Sequence, residues 1–432
     1  MHNTHSKNTV RYYLLLVIAL AFLFFSNDFG LIDVQKTAIV MAVGIDREDD
    51  AFILTSQIAI PQPSKQDKST QSVQIVSRGK TVSDAFEEIN AKTGWYPKLV
   101  FCKLIILGEN AAKQNVFDAL DYFLRDEYLS DDCLVATCDG LAKDLLNVTA
   151  LVDPSGATAM QKILSPHAEK VGATLPATLR EFAIGYFSDS RSAYMPILKT
   201  QPQQEEIGNE NANSTPPSPQ NSNSPTKKEE KEGQSQNKNQ EKQGSQEKQV
   251  GQGKSNQEEN KNDKPVFSAG ETALFVDGKW VERLTREESF AVGAVTSALR
   301  LAKYSVPSAD NTCTLIIKQN HPKTRLTLEK SDHLSFKISV VLTAGISDYS
   351  KAQDLQNISD VGDVPNGVFT AAEKKLSAEI TRAFEKCRLC GCDLFGIQER
   401  LYKYEKQDAD RLADSALTLA IPNVEVRFRN VR

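Results

Sequence analysis

A polar tract from Gln201 to Lys264 limits most strongly what this chain can fold into. The tract consists almost entirely of Gln, Asn, Ser, Lys, Glu, Gly and Pro, and Ile207 and Val250 are its only large aliphatic residues. Such a segment cannot bury enough apolar surface to offset the chain entropy lost on folding, so we predict that it is disordered. It is either a tolerated insertion in a surface loop or a tether to cell-wall polymer.

The N-terminal segment contains an unbroken apolar run from Tyr12 to Phe25, preceded by Lys7 and Arg11. Its 14 residues would span about 21 Å as a helix, which is less than the ~30 Å hydrocarbon core and typical of a signal-peptide core. The exit lacks a small-x-small cleavage pattern. We therefore favour an uncleaved anchor, with a cleaved signal and a buried core helix as alternatives. The preceding basic residues place the N-terminus in the cytoplasm and the bulk of the chain outside.

Charge and composition exclude several classes of protein. With 51 basic and 56 acidic residues the net charge is −5, which argues against nucleic-acid binding because that needs a basic face. Seven cysteines in 432 residues are too few for a disulfide scaffold. At 40% hydrophobic residues the chain can still bury a sizeable core.

The cysteine cluster Cys387, Cys390 and Cys392 is the strongest candidate for metal binding in the sequence. Tetrahedral zinc needs four ligands, typically from two separated pairs, and the sequence contains no second pair. We therefore predict a thiol cluster at a helix end with a local disulfide, and no metal site.

Other candidate chemistry is equally sparse. His321 and His333 are predicted in loops and belong to no recognisable nucleophile motif. Asp46, Arg125 and Asp126 are interpreted as helix caps or surface ion pairs. Since the sequence contains no Walker, GxGxxG or GxSxG motif, we assign no catalytic, cofactor-binding, metal-binding or lipidation residue, and we expect no cofactor and no enzymatic activity.

The pattern of apolar residues predicts an α+β fold of three domains after a signal or anchor segment at residues 1–30. In the N-terminal domain, residues 31–150, a hairpin opens an alternation of strands and helices, which favours α+β over a doubly wound sheet. Its predicted strands are Ala38–Ile45, Ala51–Ile60, Val73–Ser77, Leu99–Leu107 and Cys133–Cys138, and its predicted helices are one that begins at the cap Thr81 and one at Ala111–Leu124.

The middle domain, residues 151–285, is interrupted by the polar insert 201–264, and the C-terminal domain covers residues 286–432. Helices are predicted at Ala157–Ile163, Leu179–Phe187, Arg286–Leu301 and Thr370–Leu389. Strands are predicted at Tyr194–Lys199, Phe267–Val276, Lys279–Leu284, Cys313–Lys318, Arg325–Glu329, Leu334–Thr343 and Val424–Phe428.

Short motifs follow one another along nearly the whole chain outside the polar tract. They are Val43-Gly44-Ile45-Asp46, Gly79-Lys80-Thr81-Val82, Leu104-Ile105-Ile106-Leu107-Gly108-Glu109, Leu120-Asp121-Tyr122-Phe123-Leu124-Arg125-Asp126, Gly140-Leu141-Ala142-Lys143-Asp144-Leu145-Leu146, Gly270-Glu271-Thr272-Ala273-Leu274-Phe275, Leu284-Thr285-Arg286-Glu287-Glu288 and Cys392-Asp393-Leu394-Phe395-Gly396. In their order and spacing they resemble the Ger(x)C family, the C subunits of spore nutrient germinant receptors.

This resemblance implies a non-enzymatic, extracytoplasmic protein of three α+β domains. Such a protein would work beside two multi-spanning partner subunits in the inner spore membrane and would be needed for nutrient-triggered germination. Members of the family are usually lipoproteins, but here the first cysteine is Cys102, so the apolar N-terminal segment is expected to replace the lipid anchor.

Three hypotheses for function follow. The leading one is a receptor subunit that docks to membrane-embedded partners. The alternative is an exported envelope protein that binds a solute or cell-wall polymer, which a deep polar cleft would favour. The third, an exported hydrolase, would need a paired acid or a Cys–His pair brought together by folding.

Overall fold

The computed structural model shows a mixed α/β protein with two β-sheets. It describes residues 4–26, 37–59, 72–148, 153, 155–201, 266–308, 311–329, 333–349, 364 and 366–431. The predicted disordered insert lies outside these residues from residue 202 onward, as does the predicted domain boundary at Leu151.

Helix α1, Thr4–Ser26, covers the predicted apolar run. Its side chains from Arg11 to Phe22 are exposed, including Tyr12 and Phe22 at 73% and 76%. Among the residues that the structure describes, no helix has both the length and the apolar character needed to cross a membrane.

The first sheet is built from ten strands, with helices packed on both faces. The strands are β1 Thr37–Glu48, β2 Ala51–Ala59, β3 Ser72–Gly79, β4 Tyr96–Lys98, β5 Leu104–Leu107, β6 Leu134–Cys138, β7 Ala177–Thr178, β8 Ser192–Gln201, β9 Val266–Val276 and β10 Lys279–Leu284. The helices that accompany them are α2 Val82–Thr93, α3 Glu109–Lys113, α4 Phe117–Arg125, α5 Ala142–Asn147, α6 Gly156–Ile163, α7 Pro166–Lys170 and α8 Leu179–Phe187.

The strand order in this sheet is β10-β9-β8-β6-β5-β1-β2-β3, with β4 beside β1 and β7 beside β6. The central strands β1, β5, β6 and β8 are parallel, whereas the outer pairs are antiparallel. Helices α2, α4 and α8 bury their apolar sides on one face, and α5 and α6 cover the other. The parallel centre is thus buried on both faces, as parallel strands require.

Strands β8 and β9 pair antiparallel up to Gln201 and Val266. The polar insert therefore connects two neighbouring strands of one sheet. Strands before and after Leu151 share this sheet, and the division into three domains stays a prediction.

The second sheet has the order β11-β12-β13-β14 and packs against a long helix. Leu334, Phe336, Ile338, Val340 and Leu342 alternate along β13 and are fully buried, as their period of two predicted. Its elements are α9 Arg286–Thr296, β11 Ala302–Ser308, β12 Asn311–Leu328, β13 Leu334–Tyr349, α10 Asn366–Cys390, α11 Ile397–Tyr404, α12 Lys406–Leu412, a 3₁₀ turn Ala413–Ser415, α13 Ala416–Leu419 and β14 Ala420–Asn430.

Two elements predicted within residues 31–150 are shorter or more divided than expected. Only Leu104–Leu107 of the predicted strand Leu99–Leu107 is extended. The predicted helix Ala111–Leu124 is broken between α3 and α4, where the side chain of Asn115 accepts the Phe117 N–H and Val116 N–H donates to the Gly278 carbonyl. A contact with a distant hairpin thus replaces the helical hydrogen bonds at the break.

Two predictions for the C-terminal segment also need correction. Helix α9 ends at Thr296 because the Asn320 amide donates to the Ala294 and Ser297 carbonyls and accepts the Leu299 N–H. The two strands predicted around His321 are one strand, β12, so His321 lies in a strand and not in a loop.

Candidate functional site

Three of the motifs that carry the family resemblance meet at Asp46, a carboxylate only 2% exposed at the end of β1. Its Oδ1 accepts the Ala142 N–H at 2.8 Å and its Oδ2 accepts the Lys143 N–H at 3.0 Å. These are orphan donors at the start of α5, so Asp46 caps a helix that begins 96 residues later. The interpretation of Asp46 as a capping residue is confirmed.

Glycines make room for this buried cap. A Cβ on Gly108 would lie 2.0 Å from Asp46 Oδ1, and a Cβ on Gly44 would lie 2.8 Å from the side chain of Leu146. Burial raises the pKa of Asp46, and the two backbone hydrogen bonds oppose that shift. A carboxylate used in this way holds strand to helix and is closed to solvent.

The C-terminal motifs also supply caps. Thr285 and Glu288 form a capping box at the start of α9, and Glu288 Oε2 accepts from Lys386 Nζ at 2.8 Å. Asp393 accepts the first two backbone N–H groups of α11, both at 2.8 Å, and its own N–H donates to Ser192 Oγ on β8. The motif residues therefore stabilise junctions between elements.

The structure places the cysteine cluster at the C-terminal end of α10 and in the turn that follows it. Cys387, Cys390 and Cys392 are thiols, so the predicted local disulfide is not formed. Cys387 and Cys392 are buried, and desolvation raises the pKa of both thiols, which keeps them protonated. In the described parts of the chain, no group of three His, Cys, Asp or Glu side chains is placed to hold a metal ion.

The remaining predicted polar residues have structural partners as well. Arg125 forms an ion pair with Asp121 at 2.7 Å on the surface of α4. Asp126 accepts the backbone N–H groups of Tyr128 and Leu129, both at 2.9 Å. Both residues were interpreted as caps or surface pairs, and this is confirmed.

A cleft of about 620 Å³ opens where the loop after α7 faces α9, β11 and α10. Its base is a buried pair in which the Tyr304 hydroxyl donates to Glu379 Oε2 at 2.9 Å. Phe290 stacks on Tyr304 with ring centroids 5.2 Å apart, and Lys375 Nζ lies 4.9 Å from the Tyr304 ring. Desolvation raises the pKa of Glu379, although the Tyr304 hydrogen bond and nearby cations oppose this.

The cleft combines an aromatic floor with a positive excess at its walls. Arg286, Lys303 and Lys375 line it together with the acids Glu287 and Glu379. Such a lining suits a small molecule with an anionic group and an apolar body. Sequence reasoning missed it because its residues come from four separate elements.

A second exposed feature is an aromatic patch on α8, called the α8 patch and formed by Phe117, Ile184, Tyr186 and Phe187. Phe117 stacks on Tyr186 with centroids 4.0 Å apart and meets Phe187 edge-on at 4.8 Å. Ile184 and Phe187, three residues apart on one helix face, are 62% and 70% exposed. A groove of about 500 Å³ lies beside them, lined by Tyr186 and Phe187. Large exposed apolar side chains held rigidly in one place are typical of interaction surfaces.

Comparison with known proteins identifies the family. Residues 31–200 match the model of the spore germination protein N-terminal domain. Residues 270–429 match the spore germination B3/GerAC-like C-terminal domain. The two matches follow the order of the motifs and lie on either side of the polar tract.

Spore germination protein B3 of Bacillus subtilis (strain 168) is 27% identical to this chain over 148 residues, which are 33% of this chain and 37% of the relative. A crystal structure of the GerBC protein aligns over 90% of this chain and 96% of its own length, with 14% identity and a TM-score of 0.47. Because the models of both domains match in sequence, the chain belongs to the GerAC-like family of spore germination proteins.

Proposed function

We propose that this protein is a non-enzymatic, membrane-associated subunit of a spore nutrient germinant receptor, and that it docks to two multi-spanning partner subunits. The observation that carries the proposal is the match of both germination-protein domains, in order, downstream of an apolar N-terminal helix. The motif residues Asp46 and Asp393 support it, because they act as caps that hold elements of the fold together.

The proposed membrane contact is the apolar segment of α1, with the folded domains on the extracytoplasmic face. Its described side chains, from Arg11 to Phe22, are exposed all around the helix. A helix that is apolar on all sides has no polar face for water and favours a lipid surrounding. The inner spore membrane is the membrane that the family resemblance implies.

We place the docking of a partner subunit at the α8 patch. Phe187 and Ile184 offer apolar side chains at a fixed position, since Phe117 and Tyr186 brace the ring of Phe187 from below. Aromatic residues that are rigid before binding lose little entropy when buried and are frequent hot spots of interfaces. The adjoining groove offers polar atoms of Ser188, Asp189 and Arg191 for the rim of such an interface.

The test is a double variant, Ile184→Ser with Phe187→Ser, in the full-length protein in spores. We expect loss of the response to one nutrient and weaker co-purification of the membrane partners, with unchanged protein level in the spore membrane. Leu389→Ser is the matched control, because Leu389 is 82% exposed but isolated from the patch at the end of α10. A normal nutrient response in spores that lack the whole chain would contradict the proposed role. A normal response of the double variant alone would contradict only the assigned surface.

The cleft favours a second candidate, an exported protein that binds a solute or cell-wall polymer. Direct binding of free amino acids, sugars or short carboxylates to the full-length protein, measured by calorimetry, would support it. Lys375→Met should then weaken binding, whereas Lys374→Met, exposed on the same helix, should not. Absence of binding in the whole panel would leave the docking role as the better account.

A further inference from the structure

We propose that a second surface of the folded domain, at the edge of the first sheet where β1 begins, lies in the lipid headgroup region of the membrane. The surface is called the edge patch and consists of Trp95, Tyr96, Val100, Phe101 and Tyr128. The inference rests on the proposed membrane association, and it adds a direct lipid contact by the folded domain.

Strand pairing places these residues together. Strand β4 runs parallel to β1, with Tyr96 opposite Thr37 and Lys98 opposite Ile39. Val100 and Phe101 precede β5, the next parallel strand, and Tyr128 precedes β6 beyond it. Parallel strands begin at one edge of a sheet, so all five residues share that edge. Lys98 Nζ, at the end of β4, lies 4.9 Å from the Tyr128 ring, so β4 and the loop before β6 are close together.

The edge patch is unusually exposed for its composition. Trp95 is 42% exposed, Tyr96 and Val100 are 44%, Phe101 is 57% and Tyr128 is 59%. Trp and Tyr carry an apolar ring with a polar group at one end, which is the chemistry enriched at the boundary between lipid chains and water. Val100 and Phe101 supply purely apolar side chains, which can enter the acyl-chain region of the bilayer.

The route of the chain selects lipid as the occupant. Only ten residues separate Ser26, the end of α1, from Thr37, the start of β1, and ten extended residues reach at most about 35 Å. Thr37 is the residue paired with Tyr96. With α1 in the bilayer, the edge patch is therefore the part of the sheet tethered nearest to the membrane surface.

Charge sets the kind of lipid contact. Lys98 at the end of β4 and Lys103 in the loop before β5 lie at this edge, but the loop before β6 adds the acids Asp126, Glu127, Asp131 and Asp132. Electrostatic attraction to anionic lipid is thus not the driving force, and burial of aromatic rings is. Contact should occur with zwitterionic phosphatidylcholine alone and should be insensitive to salt.

The chain provides its own reporter, because it contains only two tryptophans, Trp95 and Trp280. Trp280 lies on β10, at the opposite end of the strand order from β3, with four strands between β10 and β1. Its ring is covered by the Arg283 guanidinium at 5.2 Å. The variant Trp280→Phe therefore reports on the edge patch, and Trp95→Phe is its matched control.

Both full-length variants are reconstituted into phosphatidylcholine vesicles whose acyl chains are brominated near the headgroup, a quencher that acts on contact. We expect the Trp280→Phe protein to lose most of its emission and to shift to shorter wavelength, and the Trp95→Phe protein to keep its emission. Adding Phe101→Ser to Trp280→Phe should reduce the quenching.

Protein that floats with the vesicles but leaves Trp95 unquenched overturns the edge-patch proposal and leaves membrane association standing. Equal quenching of both tryptophans also overturns it. In a second measurement, quenching of Trp95 by dissolved acrylamide, protection of Trp95 by a bound partner protein but not by vesicles overturns it too. Protein that fails to float with vesicles contradicts the membrane association itself, and the edge-patch proposal with it.

Discussion

Replacing Asp46 by Ala should destabilise the folded protein strongly, although Asp46 lines neither the cleft nor the groove described above. The change removes the carboxylate that accepts two backbone hydrogen bonds, at 2.8 and 3.0 Å. The N–H groups of Ala142 and Lys143 then lose this acceptor. An exposed cap contributes about 0.5–2 kcal/mol, and each buried donor left unpaired costs about 1–3 kcal/mol. Relief of the desolvation of Asp46 offsets part of this loss. We expect a net decrease in the free energy of unfolding of about 2–4 kcal/mol.

Urea unfolding of the full-length protein, followed by tryptophan fluorescence, measures this change. The control Asp50→Ala, in the exposed turn that follows β1, should stay within about 0.5 kcal/mol of the wild type. Asp46→Asn should lie between the two, since it retains one carbonyl oxygen as acceptor. A loss for Asp46→Ala no larger than that for Asp50→Ala would refute the capping role.

The dependence of the Asp46 effect on pH has a defined sign. Burial raises the folded-state pKa of Asp46 above its unfolded value of about 3.9. The folded state therefore takes up a proton before the unfolded state does as the pH falls. Relative to Asp46→Asn, the wild type should therefore gain free energy of unfolding as the pH is lowered from the raised folded-state pKa to about 3.9. A relative loss of stability over that window would contradict the assigned burial.

Three further predictions concern the ion pair of Glu288, the accessibility of the thiols and the backbone at Gly172. Lys386→Met should lower the free energy of unfolding by about 1–3 kcal/mol at pH 7, because it leaves Glu288, 8% exposed, without its cation. Desolvation raises the pKa of Glu288, but the hydrogen bonds with Lys386 and Thr285 outweigh it, so the net pKa is lowered. The loss of stability, measured by urea unfolding, should therefore shrink as the pH falls through that lowered pKa. Thiol titration with Ellman's reagent should find about one reactive thiol in the native protein, Cys390, and seven after denaturation, since the other six are buried; several fast thiols in the native state would contradict this. Gly172→Ala should destabilise by about 1–3 kcal/mol in thermal or urea unfolding, as residue 172 has φ of +68° and a Cβ would lie 2.5 Å from Phe290; a neutral effect would show that the loop moves freely.

Local signals predicted the elements that local interactions determine. The helix start at Thr81 was recognisable because a capping box needs only Thr81 and Asp84, three residues apart. The alternation along β13 likewise predicted its buried face, since one face of that strand packs on the long helix.

Contacts between distant segments decided the rest. The break between α3 and α4 depends on the Gly278 carbonyl, which accepts the Val116 N–H from another part of the sheet. The end of α9 depends on Asn320, whose amide lies on β12. No periodicity of the interrupted segments contains this information.

The candidate site was beyond prediction for the same reason. The order of the motifs indicated a family resemblance. Only the fold brings Asp46, Gly108 and Ala142 together and shows that Asp46 caps a helix. The cleft takes Tyr304 from β11 and Glu379 from α10, 75 residues apart. The α8 patch joins Phe117 of α4 to Tyr186 and Phe187.

Affinity purification of the tagged, full-length protein from solubilised spore membranes tests the central claim most directly. The proposed receptor subunit should elute with two multi-spanning membrane proteins in constant ratio, as read by quantitative mass spectrometry. Recovery of the intact chain alone, or from the soluble fraction of the spore, would contradict the claim that it acts as a docked subunit at the membrane.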